Sequence, residues 1–206
     1  MHNQALSLLK VDRMHVAPRA LELSPAAAQR RFNSVWAPLE ELLSRLRPLP
    51  AGLVRFWLQQ PGGHVIITHL PSSYEPGPRA LKHHVLYNVA CVSVSDLARD
   101  SLHALVPLGC LLDHLLGCGG VEDGKWLSEG GGLTPALSRV GARVAELFQL
   151  GNGFDEEARG HVRAYWARSL ALYLHDRNAL NVADPLMEKL LRTALFSTAF
   201  WRSHRV

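Results

Sequence analysis

Between residues 53 and 95 the chain concentrates its β-branched and aromatic segments, "GLVRFWLQQ", "GHVIITHL" and "HHVLYNVACVSVS", separated by "PGG" and "PSSYEPGPR". Runs of this kind suit a pleated, half-buried surface, and the Pro/Gly clusters between them mark turns. They predict a small sheet whose first two members form a hairpin. On either side the period is helical. Upstream, residues 24–47 open on a Ser-Pro helix start and carry Phe32, Val35, Leu39, Leu42, Leu43 and Leu46 at helical spacing, with a break or re-entry at Pro38. Downstream, residues 96–117 are helical with a break near Pro107 and a stop at Gly117. A Gly-rich loop then leads into three amphipathic segments within 133–201. In "SEGGGLTP" the glycines serve turns, and Leu133-Thr134-Pro135 launches the next helix. Helix, small sheet, then a mainly helical half is an α+β order. The 206 residues, 48% of them hydrophobic, suffice for one core, so a single domain 1–206 is expected.

No run approaches the roughly 18 uncharged apolar residues of a membrane span, and "MHNQALSLLKVDRMH" lacks a secretory apolar stretch. The chain therefore reads as cytoplasmic, with no membrane partner. Cys91, Cys110 and Cys118 form an odd set without a C-x-x-C pair, which suits reduced thiols. Lysine and arginine number 22 against 18 acids, a net +4 spread along the chain. The densest basic clusters, "QRRF" and "RSHRV", read as solvated surface, and nucleic acid is not an expected partner. His83 and His84 are adjacent in a strand-like segment, so they point to opposite faces and do not line one site together.

The stretch "PLGCLLDHLLGCGG" has the outline of the zinc-protease helix H-E-x-x-H with two of its letters changed. In its context, "VSVSDLARDSLHALVPLGCLLDHLLGCGG" resembles the edge strand, connector and active-site helix of zincin metalloproteases. "AYWARSLALYLHD" with "DPLMEKLLRTALF" resembles the later helices of lethal-factor-like gluzincins. The likeness covers roughly Val89 to Phe196 and implies a degenerate zincin-like fold. Two histidines four apart grip a zinc ion from one helix face, and the glutamate between them activates its water. Carried over, the ligand positions fall on Cys110 and His114, the catalytic base on Leu111, and the third ligand on Arg168. Leucine accepts no proton, and a guanidinium repels a zinc ion. The resemblance thus implies no catalytic residue, no cofactor, and an Arg168 guanidinium filling the vacated metal space against Glu122, Asp123, Glu129 or a main-chain carbonyl.

What remains is binding. In the family the edge strand beside the active-site helix pairs with an extended peptide, and strand addition needs only main-chain donors and a groove. That strand is expected at Ala90, Cys91, Val92, Ser93 and Val94, with a peptide, a protein or a second copy as partner. The residues leave other readings open. A zinc-dependent peptidase with an altered ligand set would use Cys110 and His114, completed from His84, His103, Asp113, Cys118 or His161. Cys110 as a nucleophile would need a lowered thiol pKa. A buried thiol and a hydrogen-bonded core histidine describe the same pair without any site. A basic structural or nucleic-acid-associated protein is the third alternative.

Overall fold

The computed structural model describes residues 2–151 and 154–203, so the last three residues of "RSHRV" lie outside them. Helix α1 (His2–Arg13) runs into a three-residue strand β1 (Met14–Val16). The helical stretch 24–47 is two helices, α2 (Ala26–Arg31) and α3 (Ala37–Arg45), because the chain opens at Phe32 and Pro38 restarts it from the first turn of α3. Proline is tolerated there since the first-turn N–H groups have no intrahelical partner.

"GLVRFWLQQ" corrects the expectation of a strand: it forms α4 (Ala51–Gln59). Leu53, Val54, Phe56 and Trp57 are buried on one helical stripe, and the indole Nε1–H of Trp57 donates to the Gly63 carbonyl at 2.8 Å. Burying such side chains contributes about 2–3 kcal/mol each, well above a propensity difference of a few tenths. Tertiary burial decides the segment.

The sheet comprises β2 (His64–Thr68), β3 (Ser73–Leu81) and β4 (His84–Ser93) together with β1, in the order β1-β2-β4-β3. β1 and β4 run parallel to β2, and β3 is antiparallel to β4. The hairpin is therefore β3–β4, turned at Lys82 and His83, with Lys82 at φ 54°. A register shift between Glu75 and Pro78 faces Asn88 at φ 57°, a left-handed conformation that asparagine accepts readily. Asn88 fixes the irregularity by accepting from Gly77 N–H and donating to the Gly120 carbonyl.

This topology corrects the edge strand. Ala90 and Cys91 lie inside the sheet, paired to β2 on one side and β3 on the other, Val92 and Ser93 continue the pairing to β2, and Val94 has left the sheet to begin α5 (Val94–Ala98). The sheet's two edges are the three-residue β1 and the longer β3, the latter drawn from the "SSYEPGPRAL" that reads as a turn. Pro76 and Pro78 fit there because an edge strand need not donate from every residue.

After a 3₁₀ turn at Leu102–Ala104 comes α6 (Val106–Cys118), with Pro107 in its first turn. It ends one residue past Gly117, at a left-handed Gly119 cap. A second 3₁₀ turn, Leu127–Glu129, precedes α7 (Pro135–Gln149), whose N-cap Thr134 accepts from Leu137 N–H. Then follow α8 (Glu156–Gly160), α9 (Val162–His175), α10 (Arg177–Ala183), α11 (Pro185–Thr193) and α12 (Thr198–Ser203). The class is α+β. One apolar cluster reaches from Ala5 to Trp201 on one face of the sheet, and a smaller one on the other face holds Ile66, Leu86, Val89 and Cys91. Among the described residues no helix is long and apolar enough to cross a membrane.

Candidate functional site

Helix α6 is the centre of the helical layer, buried around nearly its whole circumference. Gly109 lets α9 approach: a Cβ there would stand 2.5 Å from the Ala167 carbonyl oxygen, and the Trp166 indole donates to the Gly109 carbonyl at 3.1 Å. Cys110, His114 and Cys118, four apart, share the opposite stripe, toward β3.

His114 is fully buried, and both its nitrogens are engaged. Nε2 lies 2.9 Å from the Val121 carbonyl, which can only accept, so Nε2 carries the proton. Nδ1 then accepts from the Tyr74 hydroxyl at 2.7 Å. The ring stacks on Trp126 with centroids 4.7 Å apart, and Tyr74 meets both rings edge-on. Burial lowers the His114 pKa, outweighing the Val121 hydrogen bond, so the imidazole is neutral. Burial also pushes the Tyr74 phenol up, which keeps it a proton donor.

Asp113, beside it, points into the protein with no exposed surface and accepts from Ser128 N–H at 2.7 Å and Ser128 Oγ–H at 2.6 Å. Burial pushes its carboxyl up to about 7, against the two Ser128 bonds, with Glu129 adding to the rise. Trp126, Ser128 and Glu129 sit on the loop between α6 and α7. Arg163 of α9 closes the group, with its guanidinium 4.1 Å from the Trp126 ring centroid and its Nε 2.8 Å from Glu129 Oε1. Gly117 permits this loop to lie on α6, since a Cβ there would stand 2.2 Å from Leu127 N.

The remaining sequence candidates are placed as follows. Leu111 is fully buried in the main core. Cys110 has its thiol pushed up to about 12, by burial first and Asp113 second, so it is protonated at neutral pH and unsuited to nucleophilic attack. Cys118 donates to the His114 and Val121 carbonyls. His161 caps α9, accepting from Arg163 N–H. His84 lies at the hairpin turn and His103 on the 3₁₀ turn before α6. Among the described residues no three or more His, Cys, Asp or Glu side chains are grouped to hold a metal ion.

Arg168 requires a correction. It pairs with Asp155 at 2.6 Å and with Glu157, tying α9 to α8, and takes none of Glu122, Asp123 or Glu129. The guanidinium that reaches the α6 site is Arg163, five residues earlier. Five residues rotate a helix position by about 140°, so the two arginines leave α9 on different sides.

Between β3 and α6 lies a pocket of about 290 Å³, lined by Ser72, Tyr74, Asp96, His103, Val106 and Cys110 among others. Ser72 anchors its upper wall, accepting from Ser93 N–H at 3.0 Å and donating to Asp96 Oδ2 at 2.7 Å. Sequence reasoning missed Tyr74, Trp126, Ser128 and Arg163. Only Trp126 carried a signal: with Leu127 it forms an apolar pair inside an otherwise polar, Gly-rich loop, a pattern that asks for burial. No family model, curated protein or solved structure matches this chain.

Proposed function

We propose that this chain is a catalytically inactive, zincin-like domain that binds an extended peptide of another protein along Ser73–Glu75 of β3, with one apolar side chain seated in the adjoining pocket. The observation that carries the reading is the juxtaposition of an open antiparallel edge with a pocket against α6, whose His114 has both ring nitrogens engaged. Ligation by His114 would require breaking the bond from Tyr74. Leu111 stands where the resemblance puts the base, and the Cys110 thiol holds its proton.

The form of the edge favours a short peptide over a second copy of the chain. Pro76 and Pro78 supply no N–H, and the irregularity opposite Asn88 splits the ladder into Ser73–Glu75 and Pro78–Leu81, so no regular stretch of edge exceeds four residues, whereas edge-to-edge pairing of copies needs a longer, flatter strand. A three-residue ladder gains specificity from a side-chain anchor, which the pocket supplies through Val106, Pro107 and Tyr74.

The experiment is a binding screen of the full chain against a randomised library of extended peptides, repeated with His103→Trp. His103 is exposed on the pocket's rim, so the indole fills the pocket without entering the core. Saturable binding weakened at least tenfold by His103→Trp, at unchanged melting temperature, supports the reading. No saturable binding, or binding indifferent to His103→Trp, defeats it, as does metal-dependent proteolysis abolished by His114→Ala.

A further inference from the structure

The smaller face of the sheet holds a second histidine group, which the proposed peptide site does not use. His15 on β1 and His64 on β2 sit on neighbouring parallel strands, with Nε2 of His15 3.1 Å from Nδ1 of His64 and ring centroids 5.2 Å apart. Arg13 lies on the other nitrogen, its Nη1 3.4 Å from His64 Nε2, while its Nη2 donates to the carbonyls of Leu58 and Gln60 at 2.9 and 2.6 Å. The chain of donors fixes the tautomers. A guanidinium only donates, so His64 Nε2 accepts; His64 Nδ1–H then donates to His15 Nε2. Both rings are neutral, and neither can take a proton without losing a bond: on His64 it would face Arg13, and on His15 it would face the His64 N–H.

Arg13 from α1 bears on both histidines, His15 from β1 bears on His64 of β2, and His84 from β4 bears on His15, while the acid that acts in this group, Asp12, acts on Arg13. The group joins α1 and β1 to the turn between α4 and β2. β1 is short, paired over Met14–Val16 alone and followed by one further bond, Ala17 N–H to the Ile67 carbonyl at 2.9 Å.

We propose that Arg13, His15 and His64 form an acid-opened clasp, which holds β1 against β2 at neutral pH and releases it when a histidine is protonated, leaving β2 in place of the short β1 as that edge of the sheet. The direction of titration agrees with the geometry. Burial first, then Arg13 and His15, hold His64 down to about 4, and burial with His84 and Arg13 lowers His15. A group near 4 in the closed form and near 6.5 when released raises opening about thirtyfold at pH 5, which screening at a half-buried ring reduces to about tenfold.

Amide hydrogen exchange of the full chain, corrected for intrinsic rates, reads this opening at Ala17 and along β1 and β2. Between pH 7.5 and pH 5 the wild-type chain should lose about tenfold of its protection there, with α6 and α9 unchanged, and His15→Gln/His64→Gln should show no such loss. Protection independent of pH, or the same loss in the double variant, overturns the proposal. If the double variant does not fold, ring titration of the wild-type chain by NMR decides, and a His64 that titrates at 6 or above overturns the clasp. Neither result bears on peptide binding at β3.

Discussion

Two histidine environments, one fully buried and one half-buried, stand on opposite faces of one sheet, and they differ in what surrounds the ring. His114 has a hydroxyl donor for one nitrogen, a carbonyl acceptor for the other, and an aromatic face to stack on. His15 and His64 have each other and a guanidinium. The same side chain is therefore a fixed packing element in the first place and a proton-sensitive joint in the second. Burial alone does not distinguish them, since it lowers the pKa in both. The distinction is whether both nitrogens bond to neutral partners, with the Arg163 guanidinium acting only from beyond Trp126, or whether a guanidinium bonds the ring itself.

The sharpest way to break this comparison is truncation. His114→Ala removes a fully buried ring, leaves a cavity beside Trp126, and strands the Tyr74 hydroxyl. It is expected to cost about 3–5 kcal/mol at pH 7.5, measured by denaturant unfolding, and less at pH 5, because the lowered His114 pKa makes its protonation oppose folding as well. His64→Ala should cost only about 1 kcal/mol at pH 7.5 and less at pH 5, because the ring is partly exposed and its protonation opposes folding. Equal costs at the two positions would erase the contrast.

A second test addresses Asp113, the acid beside His114. Its carboxyl is raised from 3.8 to about 7 in the folded chain, so the protonated form is the one the fold favours. That contribution is fully present below pH 3.8 and is lost as pH rises through 7. Asp113→Asn keeps an acceptor for Ser128 N–H and a donor for Ser128 Oγ and never ionises. Its stability relative to wild type should climb between pH 4 and pH 8 by roughly 2–4 kcal/mol, since each tenfold change in proton affinity is worth about 1.4 kcal/mol. A difference that stays flat with pH would mean that Asp113 is ionised in the folded chain throughout.

The smallest effect on stability is expected at Cys110, where Cys110→Ser should change melting by a few degrees at most, yet the thiol gives a sensitive chemical readout. With its pKa pushed up to about 12, alkylation of Cys110 by iodoacetamide at pH 7.5 should run at least 100-fold slower than that of a free thiol near 8.5. Rapid alkylation at Cys110 would reinstate the nucleophile reading and remove the inert character assigned to this side of the comparison.

The helices were largely legible in advance because their signals are local. Ser-Pro and Thr-Pro starts, and apolar residues at spacings of three and four, place α2, α3, α7, α9 and α11 within a few residues, whereas the pattern merges α8 with α9 and leaves α10 between two segments. The sheet was half legible. "GHVIITHL" and "HHVLYNVACVSVS" became β2 and β4, but "GLVRFWLQQ" became α4 because Leu53, Val54, Phe56 and Trp57 fit a buried helical stripe as well as a strand. A nine-residue apolar run is compatible with either period, and only the surface it packs on arbitrates. β3 was lost among the prolines that make it a good edge.

By itself, then, the sequence determined the α+β order and singled out Cys110, Leu111 and His114 on one central helix, because periodicity and residue type are properties of contiguous residues. Tertiary structure alone decided which strand is the open edge, that Arg163 rather than Arg168 meets Trp126, and that His15 meets His64 across 49 residues of chain. Those outcomes depend on strand order, on the rotation of α9 against α6 and on the parallel register of β1 with β2. Each is fixed by the sum of many buried contacts, none of which leaves a mark on neighbouring residues.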